Sequence, residues 1–120
     1  MPSILIVEDD IDIAEAIGEH LASAGHRVRI AYNGAEGLRK VADELPDLIL
    51  LDVEMPVLDG PGMAESLATE RAGQVQIAVV LISAATTLES LARSIGTPYY
   101  LRKPFRTERL VALVDQVLYR

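Results

Sequence analysis

The chain of 120 residues contains no cysteine. That excludes a disulfide framework, a thiolate zinc site and a cysteine nucleophile. Aromatics are scarce, with four Tyr, one Phe and no Trp, which argues against base-stacking platforms and sandwiches around a flat cofactor. No apolar run approaches the ~20 residues that a membrane-spanning helix needs. No basic leader precedes a long apolar stretch, so secretion is not indicated. Met1-Pro2-Ser3 leads straight into an apolar run, as a natural N-terminus would. Positive charge is also short: the net charge is −7, whereas a duplex binder needs a basic patch. These readings give one cytoplasmic domain over residues 1–120, with no direct nucleic-acid or membrane partner.

What is present is an alternation. The short apolar runs SILIV (3–7), RVRIA (27–31), LILL (48–51), AVVLI (78–82) and YYL (99–101) read as strands. The middle runs are apolar throughout, which fits strands buried on both faces of a parallel sheet. Helical spacing lies between them. Ile13, Ile17 and Leu21 mark a first stripe, with Gly25 as its stop. Asn33 with Glu36 forms a capping-box pattern before a helix over 34–44. Pro61 opens a third helix to about Ala72, and Thr86 with Glu89 caps a short fourth. Leu110, Val114, Val117 and Leu118 give the last helix its stripe. The order is (βα)5, a doubly wound α/β fold with a five-stranded parallel sheet and helices on both faces.

In such folds, sites gather at the carboxyl ends of the strands. Glu8, Asp9 and Asp10 follow the first strand, and Asp52 follows the third. Ser83 and Ala84 follow the fourth, and Arg102, Lys103 and Pro104 the fifth. Each has a bland reading alone: a solvated helix start, a loop residue, a turn. Together they form a set. Clustered carboxylates suit Mg²⁺, which takes oxygen ligands. A lysine and a hydroxyl beside it can grip phosphoryl oxygens, and a carboxylate there can act as nucleophile.

ILIVEDD (4–10), LILLDVEMPVLDG (48–60), VVLIS with Ala84 (79–84) and YYLRKPF (99–105) resemble the motifs of response-regulator receiver domains, the phosphoacceptor modules of two-component signalling, similar to the chemotaxis response regulator. The resemblance covers essentially the whole chain. It implies a flavodoxin-like strand order 2-1-3-4-5 and a phosphorelay role with no enzymatic function beyond self-catalysed phosphoryl transfer and autodephosphorylation. Asp52 matches the phosphoacceptor. Asp9, Asp52 and the backbone carbonyl of Glu54 match the ligands of Mg²⁺, or of Mn²⁺ in its place, and Glu8 matches the acid that contacts it through water. Ser83, Ala84, Lys103 and Tyr100 match phosphate-binding and switch positions. Pro104 matches a cis proline, and Pro56 and Gly60 shape the loop.

The acidic triplet leaves a choice between Glu8/Asp9 and Asp9/Asp10. The 43-residue separation of Asp9 and Asp52 favours Glu8/Asp9, with Asp10 as a helix-start residue. The resemblance further implies a sensor histidine kinase or histidine phosphotransfer protein as donor. It implies an output surface on the fourth helix, fifth strand and last helix, with dimerisation open to the face formed by the fourth and last helices.

The segment from Ser83 to Gly96 is about two residues shorter than is usual in that family. Arg106 stands where a capping acid is common, so Thr107 is expected to cap the last helix. Met55, Met63 and Asp59 read as packing or structural residues, and His20 and His26 as surface and turn residues. Three rivals remain. One is a phosphatase-like enzyme using an aspartyl phosphate, with Glu54 as its second acid. Another is an FMN binder, disfavoured by the acidic loop after the first strand. The third is a receiver that signals without phosphorylation.

Overall fold

The computed structural model describes residues 2–53 and 77–119. The expected third helix, with Glu54, Met55, Pro56, Asp59, Gly60, Pro61 and Met63, lies outside the described residues. The elements, in chain order, are β1 (Ser3–Val7), α1 (Ile11–Ser23), β2 (Arg27–Ala31), α2 (Gly34–Asp43), β3 (Leu48–Asp52), β4 (Ala78–Ser83), α3 (Leu88–Ile95), β5 (Tyr99–Arg102) and α4 (Thr107–Leu118). All strand pairs are parallel, and the order across the sheet is β2-β1-β3-β4-β5.

The apolar runs make this sheet because they can bury both faces. Every residue of β1 and β3 is buried. Successive side chains point to opposite faces, and the two sets seed two separate cores. Ile4, Ile6, Leu48, Leu50, Val80 and Ile82 pack with Ala14, Ile17 and Leu21 of α1 and with Leu110, Val114 and Val117 of α4. Leu5, Val7, Ile49, Leu51 and Leu81 pack with Val41 of α2 and with Leu88 and Ala92 of α3. The described helices therefore cover both faces, two on each. Each fully buried Leu or Ile contributes about 1.5–3 kcal/mol of transfer free energy.

Helix starts follow local chemistry. Asp10 caps α1 by accepting from the Ile13 N–H at 3.1 Å. Asn33 caps α2 by accepting from the Glu36 N–H at 2.8 Å. Gly25, at φ +96°, takes the left-handed turn that lets the chain reverse out of α1 into β2.

Four expectations are corrected. The buried stripe of α1 runs through Ala14, Ile17, Gly18 and Leu21, and Ile13 is 39% exposed. Ile13 lies one helical step, about 100° of rotation, from Ala14. The residue before α3 is Thr87 rather than Thr86, and it makes no side-chain cap bond. In the tight entry after β4, the Leu88 N–H instead reaches the Ala85 carbonyl at 3.3 Å. The N-cap of α4 is Arg106, with Thr107 already inside the helix and again no side-chain cap bond. Arginine has no acceptor to offer there. Finally, His26 is not a bland turn residue: it is 3% exposed, and its Nε2 lies 2.9 Å from Asp115 Oδ1 on α4.

Among the described residues no helix is long and apolar enough to cross a membrane.

Candidate functional site

The carboxyl ends of β1, β3, β4 and β5 lie side by side, and their terminal residues form the site. β3 extends one residue past the aliphatic run, so Asp52 is itself part of the strand, in register with Ile82 of β4. The next amide, Val53 N–H, donates to the Ile82 carbonyl at 3.1 Å. Asp52 is therefore held by the ladder rather than by a loop, and it is only 3% exposed. Glu8 follows β1 directly, and its own N–H donates to the Ala31 carbonyl of β2 at 3.0 Å. It is 1% exposed. Asp9, the next residue, is exposed.

Glu8, Asp9 and Asp52 each offer a carboxylate oxygen, and these oxygens all lie within 4.8 Å of one another. Lys103 bridges two of the three. Its Nζ donates to Glu8 Oε1 at 3.2 Å and to Asp52 Oδ2 at 3.4 Å. The backbone fixes its position: Lys103 N–H donates to the Ser83 carbonyl at 2.9 Å, and the Lys103–Pro104 peptide bond is cis. Ser83 ends β4 fully buried, and its Oγ accepts from the Ala85 N–H at 2.9 Å. Ala84, beside it, is exposed. Tyr100 lies one strand further out, in register with Leu81, half-buried against the core of the α2/α3 face.

The electrostatics follow from this crowding. Burial pushes the Glu8 carboxyl up to about 8, aided by a hydrogen bond shared with Asp52, by the Asp52 charge and by a hydrogen bond with Asp9, and opposed by the Lys103 charge. For Lys103, burial acts to lower the pKa. The charges of Asp52 and Glu8 outweigh it and hold the ammonium above its ordinary value. The lysine is thus a fixed cation, and Glu8 holds a proton against its neighbour's charge.

A hard divalent cation fits this donor set. The three groups offer only oxygen, they are close enough to share one ion, and two of them are buried, where such an ion would offset the cost of carrying negative charge. Glu54, whose carbonyl was expected as a further ligand, lies outside the described residues, as do Pro56 and Gly60.

Of the acidic triplet, the geometry draws Glu8 and Asp9 to the cluster and turns the Asp10 side chain to the cap of α1. The backbone N–H of Asp10 serves the site as well, donating to Glu8 Oε2 at 3.3 Å. Sequence reasoning missed that bond and the closer approach of Lys103 to Glu8 than to Asp52. Neither leaves a mark in residue type or spacing. Both arise from the side-by-side placement of strand ends far apart in the chain.

A family model described as "Response regulator receiver domain" matches residues 4–115. The transcriptional regulatory protein PrrA of Mycobacterium tuberculosis is 36% identical over 121 residues, covering 99% of this chain and 51% of the relative. The transcriptional activator protein PfeR of Pseudomonas aeruginosa is 36% identical over 119 residues, covering 99% of this chain and 38% of PfeR. The chain thus spans about half, or less, of the length of these curated relatives. Among solved structures, the chemotaxis protein CheY4 of Vibrio cholerae superposes with a TM-score of 0.88 at 28% identity, covering 98% of both chains. The receiver domain of the Francisella response regulator 1452 also gives 0.88 at 28% identity, covering 100% of this chain and 98% of that one. A parallel sheet in the order 2-1-3-4-5, a rim of carboxylates with a lysine among them, and matches of this extent lead to one conclusion: the chain belongs to the response-regulator receiver domain family.

Proposed function

We propose that the chain, over residues 1–120, is a single cytoplasmic phosphoacceptor domain, and that Asp52 receives a phosphoryl group from a phosphohistidine. The donor is a sensor histidine kinase or a histidine phosphotransfer protein. The observation that carries this reading is the convergence of a lysine on a buried strand-end carboxylate, with Lys103 Nζ 3.4 Å from Asp52 Oδ2 inside a ring of further acids.

Each residue has a part in the transfer. An Asp52 carboxylate oxygen attacks phosphorus in line. With the donor ring protonated on its other nitrogen, the P–N bond breaks and its electron pair returns to the nitrogen that held the phosphoryl group. The products are an aspartyl phosphate and a neutral imidazole. Asp9, Asp52 and the Glu54 carbonyl would hold Mg²⁺, with Glu8 beside it; that ion supplies neutralisation of the phosphoryl oxygens. Lys103, fixed as a cation, takes one phosphoryl oxygen, giving up its contacts with Glu8 and Asp52. Ser83 offers a hydroxyl donor to another, and Ala84 lines the approach. Ser83 turning toward the phosphate leaves room that Tyr100 fills. This biases an existing inactive–active equilibrium toward a changed surface on α3, β5 and α4. That surface is where an effector, or a second copy, would read the signal. The curated relatives named as transcriptional regulators support control of gene expression as the output, exerted through an effector rather than by this acidic domain touching nucleic acid.

Incubation with acetyl phosphate and Mg²⁺, followed by intact mass measurement, tests the reading. One added phosphoryl mass on the wild type and none on Asp52→Ala is expected. No adduct on the wild type, or equal adduct on both, overturns it.

A further inference from the structure

α1 and α4 both begin at the rim, α1 just after Glu8–Asp9 and α4 just after Lys103–Pro104, and both pack on the same face of the sheet. Their far ends are joined. His26, in the turn between α1 and β2, has a fully buried side chain, and its Nε2 lies 2.9 Å from Asp115 Oδ1 in the last turn of α4. A carboxylate only accepts, so Nε2 carries the proton. The imidazole also stacks on Tyr119, the residue that ends α4, with ring centroids 6.2 Å apart and planes 24° apart. The turn that presents His26 is itself held by backbone hydrogen bonds. His26 N–H donates to the Leu21 carbonyl at 3.1 Å, and Arg27 N–H donates to the Pro2 carbonyl at 2.9 Å.

The two ends of α4 are therefore held unequally. The start, beside the rim, has Arg106 as N-cap and no side-chain cap bond. The end, where helices ordinarily fray, is tied by a buried side chain to the body of the domain.

We propose that His26 is an anchor for the far end of α4, so that displacement of α4 originating at the rim is a tilt about Asp115–Tyr119 rather than a slide along α1. His26 is a positioning residue in this scheme and touches no reacting atom. The tilt rests on the phosphoacceptor reading above; the anchor does not.

Amide hydrogen exchange by NMR on the full chain tests the anchor. Asp115 is 45% exposed, so Asp115→Ala should fold. It is expected to speed exchange of the Gln116–Tyr119 amides by roughly three- to tenfold, the loss of one hydrogen bond. The Leu110–Leu113 amides should stay unchanged. His26→Phe, which keeps a ring against Tyr119 and removes the donor, should give the same pattern. Unchanged exchange at Gln116–Tyr119 in both variants overturns the anchor, as does an equal rise along all of α4. For the tilt, beryllium fluoride with Mg²⁺ serves as a phosphoryl mimic. Amide shift changes in the wild type are expected to be larger at Thr107–Val111 than at Asp115–Tyr119, and to even out in Asp115→Ala. Equal changes at both ends of the wild-type helix overturn the tilt. No change anywhere counts against the phosphoacceptor reading, while the exchange result still decides the anchor.

Discussion

Lys103 reaches Glu8 across 95 positions of sequence, with Nζ 3.2 Å from Oε1, closer than its 3.4 Å contact with Asp52. The lysine thus donates to two buried acidic side chains, and its removal must be felt by both.

Lys103→Met should destabilise the metal-free protein near neutral pH, because Glu8 and Asp52 lose their cation while staying buried. The loss of its hydrogen bonds to the two buried groups should cost about 1–3 kcal/mol, as read by urea unfolding in the presence of a chelator. Mg²⁺ should recover much of it. A variant as stable as the wild type without metal would mean the contact contributes nothing to the fold.

The raised Glu8 carboxyl makes a pH prediction of definite sign. In the unfolded chain Glu8 titrates near 4.5, and in the metal-free folded protein near 8. Below 4.5 both states hold the proton and the group is neutral in its effect. Between 4.5 and 8 only the folded state keeps it, so this group's contribution to stability falls as pH rises, levelling off above 8. Chelated wild type should therefore lose stability across that window more steeply than Glu8→Gln, as read by thermal melts at several pH values. A parallel decline in the two proteins would refute it.

Asp52→Asn removes the like charge that helps to raise Glu8, and keeps the shape of the strand end. The metal-free variant should melt above the wild type at pH 8, while its Mg²⁺ affinity, measured by calorimetry, should fall at least about tenfold, since on the phosphoacceptor reading one charged ligand is gone. A variant that melts lower without metal would show that the Asp52–Lys103 attraction outweighs the repulsion.

Leu50 is fully buried in β3, the middle strand of five, between α1 and α4 on its face of the sheet. Leu50→Ala should cost about 2–5 kcal/mol, from lost transfer free energy plus the cavity left behind. Denaturant unfolding measures this directly. A cost under about 1 kcal/mol would mean the neighbouring helices collapse into the space.

Much of this was legible in the residues. The five strands stand where the apolar runs placed them; β1 and β3 were the plainest, because a strand buried on both faces has to be apolar throughout. The strand order was legible only by resemblance. Asp10 and Asn33 cap as their side chains dictate. Other features depended on tertiary neighbours. Ile13 and Ala14 are both apolar, and only the direction in which α1 lies on the sheet decides which is buried. Thr86 and Thr87 are interchangeable in sequence, and the tight exit from β4 selects between them. His26 was read as a turn residue because its partner lies 89 positions away on α4. At the site, Glu8, Asp9, Asp52 and Lys103 were named from the ends of their strands and do meet. Which carboxylate the lysine favours was not written in any motif.

Asp52 belongs to the sheet's hydrogen-bond ladder, paired in register with Ile82. A residue so embedded cannot swing out to meet a reagent without breaking the ladder. On the phosphoacceptor reading, all of the approach falls to the donor, whose imidazole must project past the rim to a target that waits in place. Discrimination among kinases then becomes a question of which protrusions the mouth around Asp52 admits, set by exposed neighbours such as Asp9 and Ala84 rather than by the acceptor itself.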